Sequence, residues 1–315
     1  MKNSEKKTGK KSKTLLFGFV SSILMFAFFL LFFNAAYQNK SKERIMPTEI
    51  DLSSYSPSPP EKKINLLFIH HSCGGQWLAE YSKVENCRNW ICETSPNGGG
   101  LRKLLESNNY VVHEASYGSI VGEKTDIQDW PSKFRNHMER ILRTKIQDEL
   151  LPEGEQNKIV MFKSCFPNNN FTSDEAVRQA QDAYKELLPI FQKYPNALFI
   201  AVTAPPLVSP NNPKNLLKKL LGKWVPDRKS GERARAFNNW LKDMKSGWLS
   251  NYPLKNVVVF DYYDILTKKG KSNWAEYGSK GGTDSHPNSE GNKMAAQEFI
   301  DFLNRAVKRA ELNPG

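Results

Sequence analysis

The residues whose types and spacing best fit a chemical reaction lie in two short polar motifs at opposite ends of the chain. The first, IHHSCGG at residues 69–75, directly follows an apolar run, and the second, TDSHPN at residues 283–288, directly precedes a helical pattern. A serine hydroxyl is a weak nucleophile at neutral pH, so it needs a nearby base and a partner that orients that base. The motifs predict Ser72 as the nucleophile, His286 as the general base and Asp284 as the orienting residue.

This chemistry also needs hydrogen-bond donors aimed at a developing oxyanion. Gly74 lets the backbone turn sharply beside Ser72 and leaves amides free to approach a ligand. The loop after the second predicted strand offers the backbone N–H of Gly118, and the loop after the third offers the side-chain amide of Asn168. Ligands of open α/β sheets bind at the C-terminal ends of the strands, where these loops are expected to meet.

The elements that must position these residues alternate between strand-like and helix-like segments. Short apolar or β-branched runs predict strands buried on both faces, and they are Ile64–Ile69, Tyr110–Ala115, Lys158–Phe162, Ala197–Thr203 and Asn256–Phe260. Helical patterns follow them at Gly100–Ser107, Pro131–Asp148, Ser173–Tyr194, Gly231–Lys245 and Ser289–Ala310. The alternation predicts an α/β domain with a parallel sheet, helices on both faces and right-handed crossovers.

The order of these residues resembles the SGNH or GDSL-like hydrolase superfamily over most of residues 64–305. That family has a nucleophilic Ser after strand one, a Gly after strand two, an Asn after strand three, and an Asp and a His before the last helix. The first block resembles a divergent bacterial branch that reads His-His-Ser-x-Gly. The resemblance implies a flavodoxin-like three-layer α/β/α fold, with the five predicted strands as its parallel sheet. It also implies cofactor-free hydrolysis or transfer of an ester, often an acetyl group on a carbohydrate.

The chain departs from the family pattern at three places. Two histidines stand where the family has Gly-Asp before its Ser. The third block lacks Gly-x-Asn-Asp, so Asn169 or Asn170 are alternatives to Asn168. Asp284 precedes His286 by two residues rather than three, so either the turn is tighter or a backbone carbonyl holds His286.

Four other residues are candidates for lining the site. His71 adjoins the nucleophile, and Cys165 follows the third strand. Cysteine catalysis would require a depressed thiol pKa, so Cys165 is first interpreted as a small buried residue. Asp126 and Trp130 either bind sugar hydroxyls or begin the next helix. Imidazole and carboxylate groups suit zinc, but no spacing in the chain selects a metal site.

The N-terminal segment predicts a membrane anchor. Residues 1–14 form a basic tail with six Lys and one Glu, and the uncharged run 15–33 has 19 residues, about 28 Å long as a helix. Because a bilayer core is about 30 Å thick and basic residues stay in the cytoplasm, residues 15–36 are interpreted as a transmembrane signal-anchor. A signal peptide cleaved near Asn34 is the alternative. Residues 37–62 predict a stalk, and residues 63–310 the domain.

Charge and cysteine content narrow the partners. The net charge is +12, and the chain has no dense Arg/Lys stripe with aromatic residues, which disfavours nucleic-acid binding. A mildly basic domain suits an anionic membrane surface or polymer.

Cys87 and Cys92 are either a disulfide in an exported domain or two free thiols. Residues 205–229, rich in proline, lysine and leucine, predict either a surface helix or a lid over the site.

The sequence therefore predicts a membrane-anchored, extracytoplasmic serine esterase, located in the periplasm or at the cell surface. Its expected substrate is an acetyl or other acyl ester of an envelope or exported polysaccharide. A catalytically silent glycan-binding module, an envelope scaffold on a membrane tether and an acyltransferase with the same Ser/His site are the alternatives. The sequence does not indicate an oligomeric state.

Overall fold

A central sheet organises the computed structural model, which describes residues 47–80, 97–223 and 225–312. Its seven strands are β1 (Ile64–Ile69), β2 (Tyr110–Ala115), β3 (Thr144–Ile146), β4 (Glu149–Leu150), β5 (Ile159–Lys163), β6 (Leu198–Val202) and β7 (Val257–Phe260). Their order is β4-β3-β2-β1-β5-β6-β7. Neighbouring strands run parallel except β3 and β4, which run antiparallel.

Helices cover both faces of this sheet and give it three layers. They are α1 (Ser72–Leu78), α2 (Leu101–Ser107), α3 (Trp130–Arg143), α4 (Asp174–Phe191), α6 (Arg228–Lys242), α7 (Tyr262–Leu266) and α8 (Ser289–Arg309). A further helix, α5 (Pro213–Leu220), contributes to neither core. One core packs α3, α4 and α6 on the sheet around Phe134 and Phe162. The other packs α1, α2 and α8 around Trp77 and Phe299. Because both faces are covered, β5 and β6 are buried along their whole length.

The predicted α/β class is confirmed, but the predicted five-stranded parallel sheet needs a correction. The five expected strands form the order β2-β1-β5-β6-β7, which is the flavodoxin-like order. Two further strands, β3 and β4, extend the sheet beyond β2. The sheet is mixed because β4 runs antiparallel to β3. The helix expected over Pro131–Asp148 ends at Arg143, and Gln147 turns the chain from β3 to β4 with a left-handed φ of 54°.

Residues 47–60, part of the predicted stalk, contact the surface of the domain. Ile50 packs against both cores, and Glu49 forms an ion pair of 2.8 Å with Lys242. Arg305 donates hydrogen bonds to the carbonyls of Leu52 and Ser53. The described residues from 47 onward belong to one compact unit.

The predicted transmembrane segment, residues 15–36, and the two cysteines Cys87 and Cys92 lie outside the described residues. No helix in the described part of the chain is long and apolar enough to cross a membrane.

The segment 205–229 contains α5 and begins beside the second polar motif. The Val208 N–H donates a hydrogen bond of 3.0 Å to Ser285 Oγ, and Asn212 caps the start of the helix. Leucines along α5 and at its end are exposed, including Leu220 at 84%. A helix therefore exists here and shows apolar side chains to solvent, and the lid interpretation stays a prediction.

Candidate active site

Ser72 is the first residue of α1 and comes three residues after the end of β1. Ser72 is 7% exposed to solvent. His71 before it is extended, which turns the chain from strand to helix. The Ser72 hydroxyl shares a hydrogen bond of 3.0 Å with the sulfur of Cys165, which comes two residues after β5. The first strand and its neighbour β5 thus place these two groups together.

A buried charged network supports this turn from below. His70 is fully buried, and its Nε2 lies 3.0 Å from Glu114 Oε1, while Arg102 donates a hydrogen bond of 2.6 Å to Glu114 Oε2. Burial opposes ionisation of Glu114, but His70 and Arg102 hold its pKa below the usual value. The ionised carboxylate therefore accepts a hydrogen bond from His70 Nε2–H and fixes the imidazole ring. The fixed ring in turn limits how closely α1 can approach His70.

We expect Gly74→Ala to destabilise the domain by about 1–3 kcal/mol, the usual cost of overpacking a core. A Cβ at position 74 would collide with Cβ and Cγ of His70, and His70 cannot move because Glu114 holds it. Urea unfolding measures the change. In a His70→Gly background the same substitution is expected to cost less, because both the Cβ and the ring that it would strike are gone. Equal costs in both backgrounds would contradict this explanation.

The second motif forms a carboxylate–imidazole pair. Asp284–Pro287 is a short extended segment, β8, that bridges to Gly278 and Ser279. Asp284 Oδ1 accepts hydrogen bonds from the backbone N–H of His286 at 3.1 Å and from its Nδ1 at 2.7 Å. Burial opposes ionisation of Asp284, but these hydrogen bonds lower its pKa to about 2. A spacing of two residues thus suffices for the carboxylate to hold Nδ1, which leaves Nε2 as the basic atom.

The segment after β5 joins the two motifs. The ring of Phe166 lies edge-on to the His286 ring, with 4.9 Å between the ring centroids. Phe166 directly follows Cys165, whose sulfur contacts the Ser72 hydroxyl. Ser72 and the Asp284–His286 pair therefore contact neighbouring residues of one loop.

The two donors predicted from the loops after the strands are engaged elsewhere. The Gly118 N–H donates a hydrogen bond of 2.5 Å to Glu123 Oε2. The Asn168 amide donates to Asp126 Oδ1 at 2.8 Å, and its oxygen accepts from the Ile127 N–H at 2.8 Å. In this structure Gly118 and Asn168 thus fix loops beside the site, and these hydrogen bonds do not involve Ser72.

The alternatives to Asn168 also have structural partners. Asn169 is buried, and its amide donates to the carbonyls of Ala204 and Pro205. The Asn170 side-chain oxygen accepts from Ser230 Oγ at 3.1 Å. These contacts tie the loop after β5 to the start of segment 205–229 and to α6.

Two of the predicted lining residues belong to the surrounding framework. Trp130 is fully buried at the start of α3, where its indole N–H donates to Ser164 Oγ at 2.8 Å. Asp126 exchanges capping hydrogen bonds with Asp129 at the start of a 3₁₀ helix, besides accepting from Asn168. Their positions fit the helix-start alternative that the sequence left open.

His71 supports Tyr117, a residue that the sequence alone did not single out as a candidate. Its Nε2–H donates a hydrogen bond of 2.7 Å to the Gly122 carbonyl, and burial lowers its pKa, which keeps the ring neutral. The ring stacks on Tyr117 at a centroid distance of 3.7 Å. The Tyr117 hydroxyl accepts a hydrogen bond of 3.4 Å from the Ser72 N–H. The sequence signal that could have identified Tyr117 is its position one residue before Gly118, in a loop expected at the site.

Cys165 has the electrostatic surroundings of an ionised thiol. Its sulfur lies 3.5 Å from that of Cys73, and both thiols are free. Burial raises the pKa of Cys73 well above its usual value. The hydrogen bond from Cys73 lowers the pKa of Cys165 well below its usual value, against the effect of burial, and the buried ammonium of Lys163 adds to this. Of this pair, Cys165 is therefore the thiol that ionises more readily.

We therefore expect iodoacetamide to alkylate Cys165 at pH 6 and to leave Cys73 unmodified, because the thiolate is the reactive form. Peptide mass spectrometry after timed exposure measures both sites. Lys163→Met removes the cation and is expected to slow alkylation of Cys165 at pH 6. An alkylation rate that rises tenfold per pH unit up to pH 8 in the unsubstituted chain would show an ordinary thiol and contradict this prediction.

The described residues, 47–80, 97–223 and 225–312, contain no group of three or more His, Cys, Asp or Glu side chains arranged to hold a metal ion.

No protein-family model and no curated protein matches the chain. Among solved structures, it is similar to a family two carbohydrate esterase from Clostridium thermocellum in complex with cellohexaose, at 14% identity and a TM-score of 0.34. The match covers 79% of this chain and 66% of the esterase, slightly less than two thirds of its length. It is also similar to the periplasmic domain of a lipopolysaccharide acetyltransferase from Salmonella ser. Paratyphi A, at 12% identity and a TM-score of 0.40, over 78% of this chain and 85% of that one. No conclusion about the site follows from matches at these scores.

Proposed function

We propose that the chain is a serine esterase that hydrolyses an acyl ester through Ser72. The observation that carries the proposal is the hydrogen bond of 2.7 Å between Asp284 Oδ1 and His286 Nδ1, beside a serine placed at a strand-to-helix turn. A base oriented by an ionised carboxylate and a serine hydroxyl are the groups that nucleophilic acyl transfer needs, and here both contact the loop after β5, through Phe166 and Cys165.

The first half of the reaction acylates Ser72. Its oxygen attacks the ester carbonyl while Nε2 of His286 accepts the hydroxyl proton, and Asp284 stabilises the imidazolium that forms. The tetrahedral intermediate then collapses, the carbon–oxygen bond to the alcohol breaks, and His286 returns its proton to the leaving alcohol oxygen. The products are a free alcohol and an acyl ester on Ser72.

The second half repeats these steps with water. His286 accepts a proton from water as the water oxygen attacks the acyl carbon, and the proton then returns to Ser72 Oγ when that bond breaks. A carboxylic acid leaves, and the enzyme is restored. A sugar hydroxyl in place of this water would make the same site an acyltransferase.

The substrate class and the location are further parts of the proposal. The resemblance to SGNH hydrolases favours an acetyl ester on a carbohydrate, and the two solved structures described above concern a carbohydrate esterase and a lipopolysaccharide acetyltransferase. The basic tail and the apolar run 15–33 favour a membrane anchor. Together they favour an ester of an envelope or exported polysaccharide, processed outside the cytoplasm.

The test is acetate release by the full chain from p-nitrophenyl acetate and from an O-acetylated polysaccharide, combined with labelling by a fluorophosphonate. We expect turnover and a covalent adduct on Ser72, both lost in Ser72→Ala. Ser107→Ala is the matched control, because this hydroxyl donates to the Leu104 carbonyl on the exposed side of α2. Acetyl transfer to an added oligosaccharide instead of release would identify the transferase.

A glycan-binding module without turnover is the second candidate. The observation that favours it is the engagement of Gly118 and Asn168 with Glu123 and Asp126, since these were the donors expected for the oxyanion. Binding of the deacetylated polysaccharide, with neither acetate release nor adduct at Ser72, would support this module and refute the esterase.

A further inference from the structure

We propose that the hydroxyl of Tyr117 donates a hydrogen bond to the oxyanion, in the role that the sequence assigned to Gly118. This inference rests on the proposed esterase function and names a catalytic residue for it. It starts from the hydrogen bond of 3.4 Å that the Tyr117 hydroxyl accepts from the Ser72 N–H.

The geometry allows both groups to bind the same oxygen. A carbonyl attacked by Ser72 Oγ places its oxygen next to the backbone N–H of the same residue. Donors of an oxyanion hole lie about 2.7–3.1 Å from that oxygen. Because Ser72 N and Tyr117 Oη are 3.4 Å apart, one oxygen atom at about 2.9 Å from each completes a triangle with them.

The other expected donors are committed to carboxylates. The Gly118 N–H donates to Glu123 at 2.5 Å, and the Asn168 amide donates to Asp126 at 2.8 Å. Hydrogen bonds to ionised groups are roughly twice as strong as neutral ones, so breaking them for a substrate is costly. The hydrogen bond that the Tyr117 hydroxyl accepts from the Ser72 N–H is long and joins neutral groups, so it is weaker than either of these.

The surroundings hold Tyr117 in place and keep it protonated. Its ring stacks on His71 at an interplanar angle of 20°, and the Gly122 carbonyl fixes His71. The Gln147 amide donates to the Tyr117 carbonyl at 2.9 Å. Burial raises the pKa of Tyr117 above its usual value. A phenol that stays protonated at neutral and mildly basic pH can donate throughout the range in which an esterase works.

This assignment gives each residue of the first motif a separate task. His70 fixes the turn by limiting how closely Gly74 approaches, and His71 is the platform on which Tyr117 lies. As negative charge develops on the carbonyl oxygen, the Ser72 N–H and the Tyr117 O–H both donate to it. No proton is transferred to the oxyanion, and the phenol is unchanged when the carbonyl reforms.

The experiment compares Tyr117→Phe with the unsubstituted full chain in p-nitrophenyl acetate hydrolysis. Loss of one oxyanion donor lowers kcat by about 10²–10³-fold, and we expect this fall with little change in KM. Tyr252→Phe is the matched control, because it removes a hydroxyl that donates to Asn256 away from the site. Tyr117→His, which retains a ring N–H donor, is expected to keep more activity than Tyr117→Phe.

A second readout separates donation from a structural role. Binding of a boronic acid, which forms a tetrahedral adduct with Ser72, is expected to weaken in Tyr117→Phe by about the same factor as kcat/KM falls. An unchanged kcat in a folded Tyr117→Phe variant would overturn the assignment while Ser72→Ala remains inactive. Hydrolysis that does not depend on Ser72 would instead overturn the proposed function, and this inference with it.

Discussion

Replacing His286 by alanine is expected to lower kcat for ester hydrolysis by about 10⁴–10⁶-fold, with the fold intact. In serine hydrolases, removal of the base costs about as much as removal of the nucleophile, because neither group works alone. The ring of His286 is 27% exposed and contacts Phe166 at the rim of the site, so its truncation leaves both cores untouched. Steady-state rates with p-nitrophenyl acetate measure the effect, and thermal unfolding checks the fold.

The double variant tests whether the two residues form one unit. If His286 is the base for Ser72, then Ser72→Ala/His286→Ala is expected to be no slower than Ser72→Ala alone. His137→Ala, a histidine on α3, is the control and should retain full activity. If the rate losses of the two single variants multiply in the double variant, His286 acts independently of Ser72 and the proposed mechanism fails.

The layered fold could be predicted because its buried strands are continuous apolar runs. Ile64–Ile69 and Tyr110–Ala115 were located to the residue. The end of α3 could not be located, because a distant side chain sets it. Asn157 donates hydrogen bonds to the carbonyls of Ile141 and Thr144, which satisfies the helix end and lets β3 begin. No sequence feature within residues 130–148 indicates that Asn157, nine residues beyond Asp148, satisfies this helix end.

The same distinction applies to the site. Ser72, Asp284 and His286 could be selected because each occupies a short motif at the boundary of a predictable strand or helix. The hydrogen bonds of Gly118 and Asn168 depend on where the Glu123 and Asp126 carboxylates lie, which is set by loop packing. Tyr117 was missed for a related reason, since its role depends on a ring stacked on His71.

The exchange Asp284→Asn is expected to lower kcat by about 10⁴-fold at neutral pH, as the same exchange does in a serine protease triad. The amide can present its N–H₂ to Nδ1, which stabilises the tautomer whose Nε2 carries the proton and cannot accept one from Ser72. Lys280→Met is the matched control, because Lys280 contacts Oδ2 of Asp284 at 3.3 Å, whereas His286 is held by Oδ1. Full activity in Asp284→Asn would show that another group orients His286.

The pH dependence of stability gives this prediction a second, activity-free readout. The pKa of Asp284 falls from its usual 3.8 to about 2 on folding, because the hydrogen bonds from His286 outweigh burial. A lowered pKa means that the carboxylate contributes stability above about pH 4 and loses it as the pH falls toward 2. The difference in unfolding free energy between the unsubstituted chain and Asp284→Asn should therefore be largest at pH 5–7 and shrink toward pH 2. A difference that stays constant over this range would mean that the ionised carboxylate does not hold His286 in the folded protein, and it would leave the base without its orienting partner.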